Sequence, residues 1–340
     1  MNTMNTMNTM NTTPLHALQT SWRGLLASPY FTSLVTVALL AVLLACGGAA
    51  YPGFLSLQVL FNLLIDNAFL LVIAVGMSFV ILSGGIDLSV GSVLALSTML
   101  AAWLLQVWHV PPLLVIGVVL LLGAGFGAAM GALIHYFKLQ PFIVTLAGMF
   151  LARGLCYLIS VSSITISDPL FVAMSQTQLA VPGGFVSPGV LIALLTLALA
   201  IYMAHYTPFG RALYAVGGNE QSALMMGLAV GRSKVLVYAF SGGCAALGGV
   251  LFSFYMLSGY GLHAQGVELD AIAAVVIGGT LLSGGYGYVA GALSGVLVLG
   301  TIQTLIAFDG TLSSWWTKIV IGGLLFVFCL VQRLMARSAP

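Results

Sequence analysis

Residues 74–97 read AVGMSFVILSGGIDLSVGSVLALS. Asp87 is the single ionisable residue in this stretch, and the rest is apolar, glycine or serine. The stretch joins two apolar runs, 59–83 and 89–106, each close to the roughly 20 residues that cross about 30 Å of hydrocarbon. Two spans joined by a glycine-rich break is the reading that fits. Glycine is tolerated at membrane depth where neighbouring protein or water satisfies the freed backbone.

The rest of the chain has the same character. Of 340 residues, nine are Lys or Arg and seven are Asp or Glu, while 61% are hydrophobic and another 41 are glycine. At 5% charge, against about 25% in ordinary soluble domains, the chain has no surface for water. Disorder needs low hydrophobicity and high charge, and a nucleic-acid interface needs a basic patch. A net charge of +2 excludes the second as firmly as the apolar content excludes the first. Further apolar runs at 33–50, 113–135, 142–160, 188–204, 235–257, 267–283, 288–306 and 315–333 bring the candidate spans to ten. The expected fold is all-α: a polytopic membrane bundle forming one domain over 33–335, after a disordered tail, 1–32, with an MNT repeat. Glycine-rich segments near 84–92 and 264–290 could change the span count by one or two.

Lys and Arg set the orientation. With a cytoplasmic N-terminus, Arg23, Lys138, Arg211, Arg232, Lys234, Arg333 and Arg337 all fall inside, and both termini are cytoplasmic. Asp168, Glu268, Asp270 and Asp309 then mark the outer face. Lys318, at the outer end of the last span, fits neither pattern. The run 274–297, AVVIGGTLLSGGYGYVAGALSGVL, is a weak repeat of 74–97 and shares LSGG without a gap. Paired glycine-interrupted segments point to a transport pathway. With ten spans the two runs point the same way, and one re-entrant segment would invert them.

Several chemistries are missing. There is no P-loop, H-E-x-x-H, C-x-x-C or G-x-S-x-G pattern, and the four cysteines sit singly in apolar runs. Ionisable groups at membrane depth are functional candidates by default. Asn62 and Asp66 share a helix face, Phe69 continues it, and Asn67 lies about 100° away from Asp66. An amide, a carboxylate and an aromatic ring suit a sugar; a hydrogen bond between helices is the other reading. Arg153, in the middle of the fifth span, lies at a depth that pairs it with Asp66, unless it snorkels. A pair would make the double reversal, Asp66→Arg with Arg153→Asp, restorative. Ser83 or Asp87 caps the next helix, or Asp87 contributes to gating or substrate contact.

The longest polar stretch on the inner side is the loop 205–234. Asn219 is a good N-cap, Glu220 sits at the positive end of a helix over 220–226, and Gly227 stops it. The helix is either a connector or a docking element for a separate ATPase.

DNAFLLVIAVGMSFVILSGGIDLSVGSV (66–93), PFGRALYAVGGNEQSALMMG (208–227) and ELDAIAAVVIGGTLLSGG (268–285) resemble the permease subunits of ribose-type sugar ABC importers. The resemblance covers about 50–333. PGF (52–54) and FDGTLSSWWTKI (308–319) are most similar to the second permease subunit of galactofuranose importers. The resemblance implies inner-membrane transport of a monosaccharide, galactofuranose, with ribose or another pentose or hexose as the alternative. It implies three partners: a second permease subunit that is a paralogue, a cytoplasmic ATP-binding subunit and a periplasmic sugar-binding protein. ATP is then used by the partner, and this chain needs no cofactor and no metal. Phe209, Gly210, Arg211, Gly217, Gly218, Asn219 and Glu220 match the coupling segment. The substrate pathway falls to Asn62, Asp66, Asn67, Phe69, Asp87 and Arg153, and the binding-protein face to Asp168, Glu268, Asp270 and Asp309. An ion-coupled transporter using Asp66 or Asp87 is a second reading, and an intramembrane enzyme acting on lipid-linked sugar a third.

Overall fold

A computed structural model describes residues 31–313 and 315–338. Among these residues fourteen helices follow one another. They are α1 Phe31–Ala50, α2 Leu57–Asp66, α3 Ala68–Leu82, α4 Val90–Gln106, α5 Pro112–Tyr136, α6 Pro141–Ile159 and α7 Pro169–Gln176. Then come α8 Pro188–Tyr206, α9 Pro208–Gly218, α10 Glu220–Met225, α11 Val230–Met256, α12 Val267–Ile277, α13 Gly291–Asp309 and α14 Trp315–Ser338. Proline opens α5 to α9, where its missing N–H would have lacked a partner anyway. The strands are short: β1 Ile164–Thr165 pairs with β4 Ser258–Gly259, and β2 Leu179–Val181 with β3 Gly184–Val186, both antiparallel. The tail expected over 1–32 lies, as far as residue 30, outside the described residues; Phe31 and Thr32 open α1.

Every residue of α3 except Phe69 is buried, so this helix is apolar all round because protein surrounds it. The long α11 packs on α5, α3 and α4. Along the α5–α11 contact Gly123, Gly127 and Gly131 meet Gly242, Tyr238 and Val235 in turn, so the two helices are antiparallel. A side chain at Gly127 would run into the Tyr238 carbonyl; small residues every fourth position permit such close packing. Outside this core, Leu113, Leu121 and Leu158 are more than two-thirds exposed, as lipid-facing residues are.

The all-α membrane bundle agrees with the sequence; ten full spans do not. Seven helices are long and apolar enough to cross, and the α2–α3 pair, bent by 56° at Asn67, makes an eighth when counted as one broken span. The other two apolar runs hold shorter helices, 17 residues in α4 and 11 in α12, about 25 and 16 Å at 1.5 Å per residue; α12 is too short to cross. A helix that stops inside a membrane leaves carbonyls without partners. At the end of α12 and just beyond it, the α14 residue Gln332 donates to Val276 O at 3.2 Å and Thr280 O at 3.3 Å, and the Thr36 hydroxyl of α1 donates to Ile277 O. At the other end of α12, Lys318 of α14 holds Asp270 at 2.7 Å. That is the physical account of Lys318: α14 clasps the short helix at both ends.

The connections gather at two ends of the bundle. One end holds 83–86, 207–229 and 281–288, joined by contacts of Gly217 with Leu82 and Gly285 and by Tyr214 to Gly287 O. The other holds 51–58, 160–187, 257–260 and Asp309, joined by Gln58 to Phe185, Ser167 to Gln106, Ile166 to Leu257 and Tyr51 to Asp309.

Candidate functional site

The break between α3 and α4 is built around Asp87, which is wholly buried. One carboxylate oxygen accepts from the Ser89 N–H at 3.0 Å and the Ser89 hydroxyl at 2.6 Å; the other accepts from the Ser241 hydroxyl of α11 at 2.8 Å. Tyr238, one turn away on α11, donates to Ile86 O at 3.3 Å. Ser83 turns back to Val80 O and leaves the next helix alone. Asp87 therefore fixes the approach to α4 and ties the break to α11.

The two LSGG turns, 82–85 and 282–285, lie against each other at one end. They run to the same end of the bundle, as equal directions require. Gly285 N–H donates to Leu82 O at 2.9 Å. Gly84, Gly284 and Gly285 all have positive φ, the region that suits glycine. A side chain on Gly284 would press on the Gly84 backbone, and one on Gly217 would strike Leu82 O and Gly285 N. The end of α9 is thus wedged between the two turns, backbone to backbone.

The seven coupling residues divide into two groups. Phe209 stacks at 6.1 Å on Phe79 of α3, and Gly210 is buried against Ala204. With Gly217 they anchor α9 to the bundle. Arg211, Gly218, Asn219 and Glu220 are exposed. Asn219 caps α10 by accepting from Ser222 N–H at 2.9 Å, and Glu220 pairs with Lys234 at 2.7 Å. Leu224, Met225 and Met226 project from the same short segment, Met225 at 87% exposure.

At the opposite end the arrangement differs from the expected sugar face. The chain breaks at Asn67, so Phe69 does not continue the Asn62–Asp66 face. Asn62 accepts from Gln58, which also reaches the Phe185 backbone; Asn67 is buried and donates to Leu63 O at 2.9 Å. Asp66 accepts from the Tyr255 hydroxyl at 3.2 Å, and Arg153 donates to Gly261 O at 2.5 Å and His263 O at 2.6 Å. The expected Arg153–Asp66 pair is not formed. Each group has found its partner on or just after α11 instead, so the double reversal is expected not to rescue uptake lost in either single variant. Recovery in a transport assay would restore the pair. The fold does gather Phe69, Tyr255, Phe254, Phe185, Gln178 and Ser187 around a cavity of about 230 Å³ beside Asp66, between α2, α3, α7, α8 and α11.

The four acids assigned to the outer face part company. Asp168 caps α7, accepting from Leu170 N–H at 2.9 Å, and Asp309 accepts from Tyr51 at 3.0 Å. Asp270 is buried under Lys318, and Glu268 lies against Gly91 at the start of α4. Both stand in the first turn of α12, Asp270 buried and Glu268 partly so, and not in an outer loop. Ser241, Tyr238 and Tyr255 were missed because a serine or tyrosine in an apolar run gives no signal until its partner is known. Among the described residues no group of His, Cys, Asp or Glu could hold a metal ion.

A helical bundle of seven or eight candidate spans among the described residues, with two broken segments and a wedged loop at one end, defines a multi-span membrane protein. The chain belongs to the branched-chain amino acid transport system / permease component family, which it matches over residues 59–329. It is similar to the inner membrane ABC transporter permease protein YjfF of Escherichia coli K12, at 52% identity over 83% of this chain and 86% of that protein. The fructose import permease protein FruG of Bifidobacterium longum is 38% identical over 88% of this chain and 90% of its own length. For the ribose import permease protein RbsC of Escherichia coli K12 the figures are 37%, 86% and 91%. No solved structure matches the chain.

Proposed function

We propose that this chain is one of two permease subunits of an inner-membrane sugar ABC importer, and that its substrate is galactofuranose. The observation that carries the transport reading is the wedge of Gly217 between Leu82 and Gly285. It joins the exposed α9–α10 segment to both breaks in the bundle without an intervening side chain. Sugar as cargo is supported by the fructose and ribose permeases among its relatives. Galactofuranose is supported by the residues 52–54 and 308–319. The end carrying α9 and α10 faces the cytoplasm, where Lys138, Arg211, Arg232 and Lys234 gather, and both termini lie on that side. A separate ATP-binding subunit docks there and hydrolyses ATP, and a periplasmic binding protein delivers the sugar at the other end. Residues 33–335 act as one permease domain, with no cofactor of its own.

The test is reconstitution of the complete transporter in liposomes. Labelled galactofuranose is expected to accumulate only with ATP and binding protein present, and to be unaffected by ionophores. Ribose or fructose taken up in its place would overturn the substrate. Uptake indifferent to ATP but abolished by an ionophore would overturn the class.

A further inference from the structure

We infer that the face carrying Arg153, His263 and Glu268, continued by an aromatic row to Asp66, is the face that a second permease subunit of the same fold covers. The inference rests on the two-permease reading above and adds which surface meets the partner.

Depth comes first. Arg153 stands 12 residues after Pro141, about 18 Å along an α6 of about 28 Å. Glu268 lies against Gly91, next to the start of α4. Gly91 is four residues beyond Asp87, whose partner Ser241 is 11 residues, or about 16 Å, into an α11 of about 40 Å. Arg153 and Glu268 therefore both lie within the thickness of the membrane. Yet Arg153 and Glu268 are only partly buried. A charge at this depth that faced lipid would cost at least a few kcal/mol, so protein or a water-filled path must face it.

Behind this face lie two polar atoms without partners. His263 Nδ1 and Glu268 Oε2 are buried and have no hydrogen-bond partner in this chain. From His263 the row Phe252–Phe69 runs toward Asp66 and Tyr255, with ring separations of 5.1 and 4.9 Å, and every ring in it is half-buried. On α6, Phe150 and Tyr157 flank Arg153 at i−3 and i+4, and both are exposed. Arginine and aromatic residues are what interface centres are rich in.

Lipid suits the other faces, where Leu113 and Leu121 of α5 and Leu195 of α8 project. A related subunit suits this one. Two like subunits meet through the same patch on each, so the patch must complement itself, and this patch carries both signs: Arg153 against Glu268 and Asp66.

The experiment places the photoreactive residue p-benzoylphenylalanine singly at Phe150, Tyr157 or Leu121. It is done in the assembled transporter, in membranes whose ATP-driven sugar uptake has been verified. After irradiation, mass spectrometry of the adducts is expected to find a permease subunit, whether a second copy or a paralogue, joined at 150 and 157, and lipid joined at 121. Lipid, ATPase or binding-protein adducts at 150 and 157, or permease adducts at 121 alone, would overturn the assignment. Because uptake is verified first, that failure would refute the face and leave the proposed function standing.

Discussion

Gly217→Ala is expected to cut sugar uptake by the assembled transporter at least tenfold, while Gly218→Ala leaves it near the original rate. The two glycines are neighbours with opposite surroundings. A methyl group on Gly217 would meet Leu82 O and, at 2.6 Å, Gly285 N, both of them backbone atoms. No flexible side chain is there to move aside, and interiors this close-packed register even one added carbon. Around Gly218 there is nothing within 4 Å. The loss at 217 should appear as uncoupling: the variant reaches the membrane and binds its ATPase, and ATP turnover no longer responds to the sugar-loaded binding protein. Equal uptake by the two variants would show that the wedge does not carry the stroke. Glu220→Lys acts more weakly and on docking, since it replaces the 2.7 Å pair with Lys234 by a repulsion at an exposed site, where ion pairs contribute little.

The second large effect is at Asp87. Asp87→Leu removes the acceptor for three donors, the Ser89 N–H, the Ser89 hydroxyl and the Ser241 hydroxyl. A buried donor left without a partner costs about 1–3 kcal/mol, so a total of several kcal/mol is expected, enough to lower the thermal stability of the detergent-solubilised protein markedly and to abolish uptake. Asp87→Asn is the informative partner. Its amide oxygen can accept from Ser89, and its NH₂ can donate to the Ser241 oxygen. If Asp87 is a brace, the Asn variant keeps most of the stability and of the uptake. If it folds as well as the original but transports no sugar, the negative charge itself is required, and an ion-coupled reading gains the ground that the brace loses.

Parts of this architecture were legible in the chain because they depend on neighbours in sequence. Proline marks the starts of α5 to α9, Asn219 announces the cap of α10, and the LSGG repeat announces two matching turns. What was misread depends on partners far along the chain. Asp66 meets Tyr255 across 189 residues and Asp87 meets Ser241 across 154, and no spacing rule reports such pairs. Lys318 had no account until Asp270, 48 residues earlier, was found beneath it. The span count came out lower than ten for a related reason. Apolar residues continue past the end of α12 as far as Leu281 and Leu282, and hydropathy does not distinguish an apolar turn from a helix. Asn67 looked like a member of a polar face, whereas its side chain bonds to Leu63 O at the bend that takes Phe69 off that face.

The meeting of the α9 end with the two LSGG turns has one more consequence. Side-chain contacts have slack: a rotamer can swing and absorb an ångström of displacement before the next element feels it. Backbone set directly on backbone has no such play, so a small shift of the α9 end is passed on undiminished to 82–85 and 282–285. The same property hides these positions from the usual survey by truncation. A glycine has nothing left to trim, so a scan that shortens side chains would pass over the most sensitive residues in the protein; only substitutions that add atoms will find them.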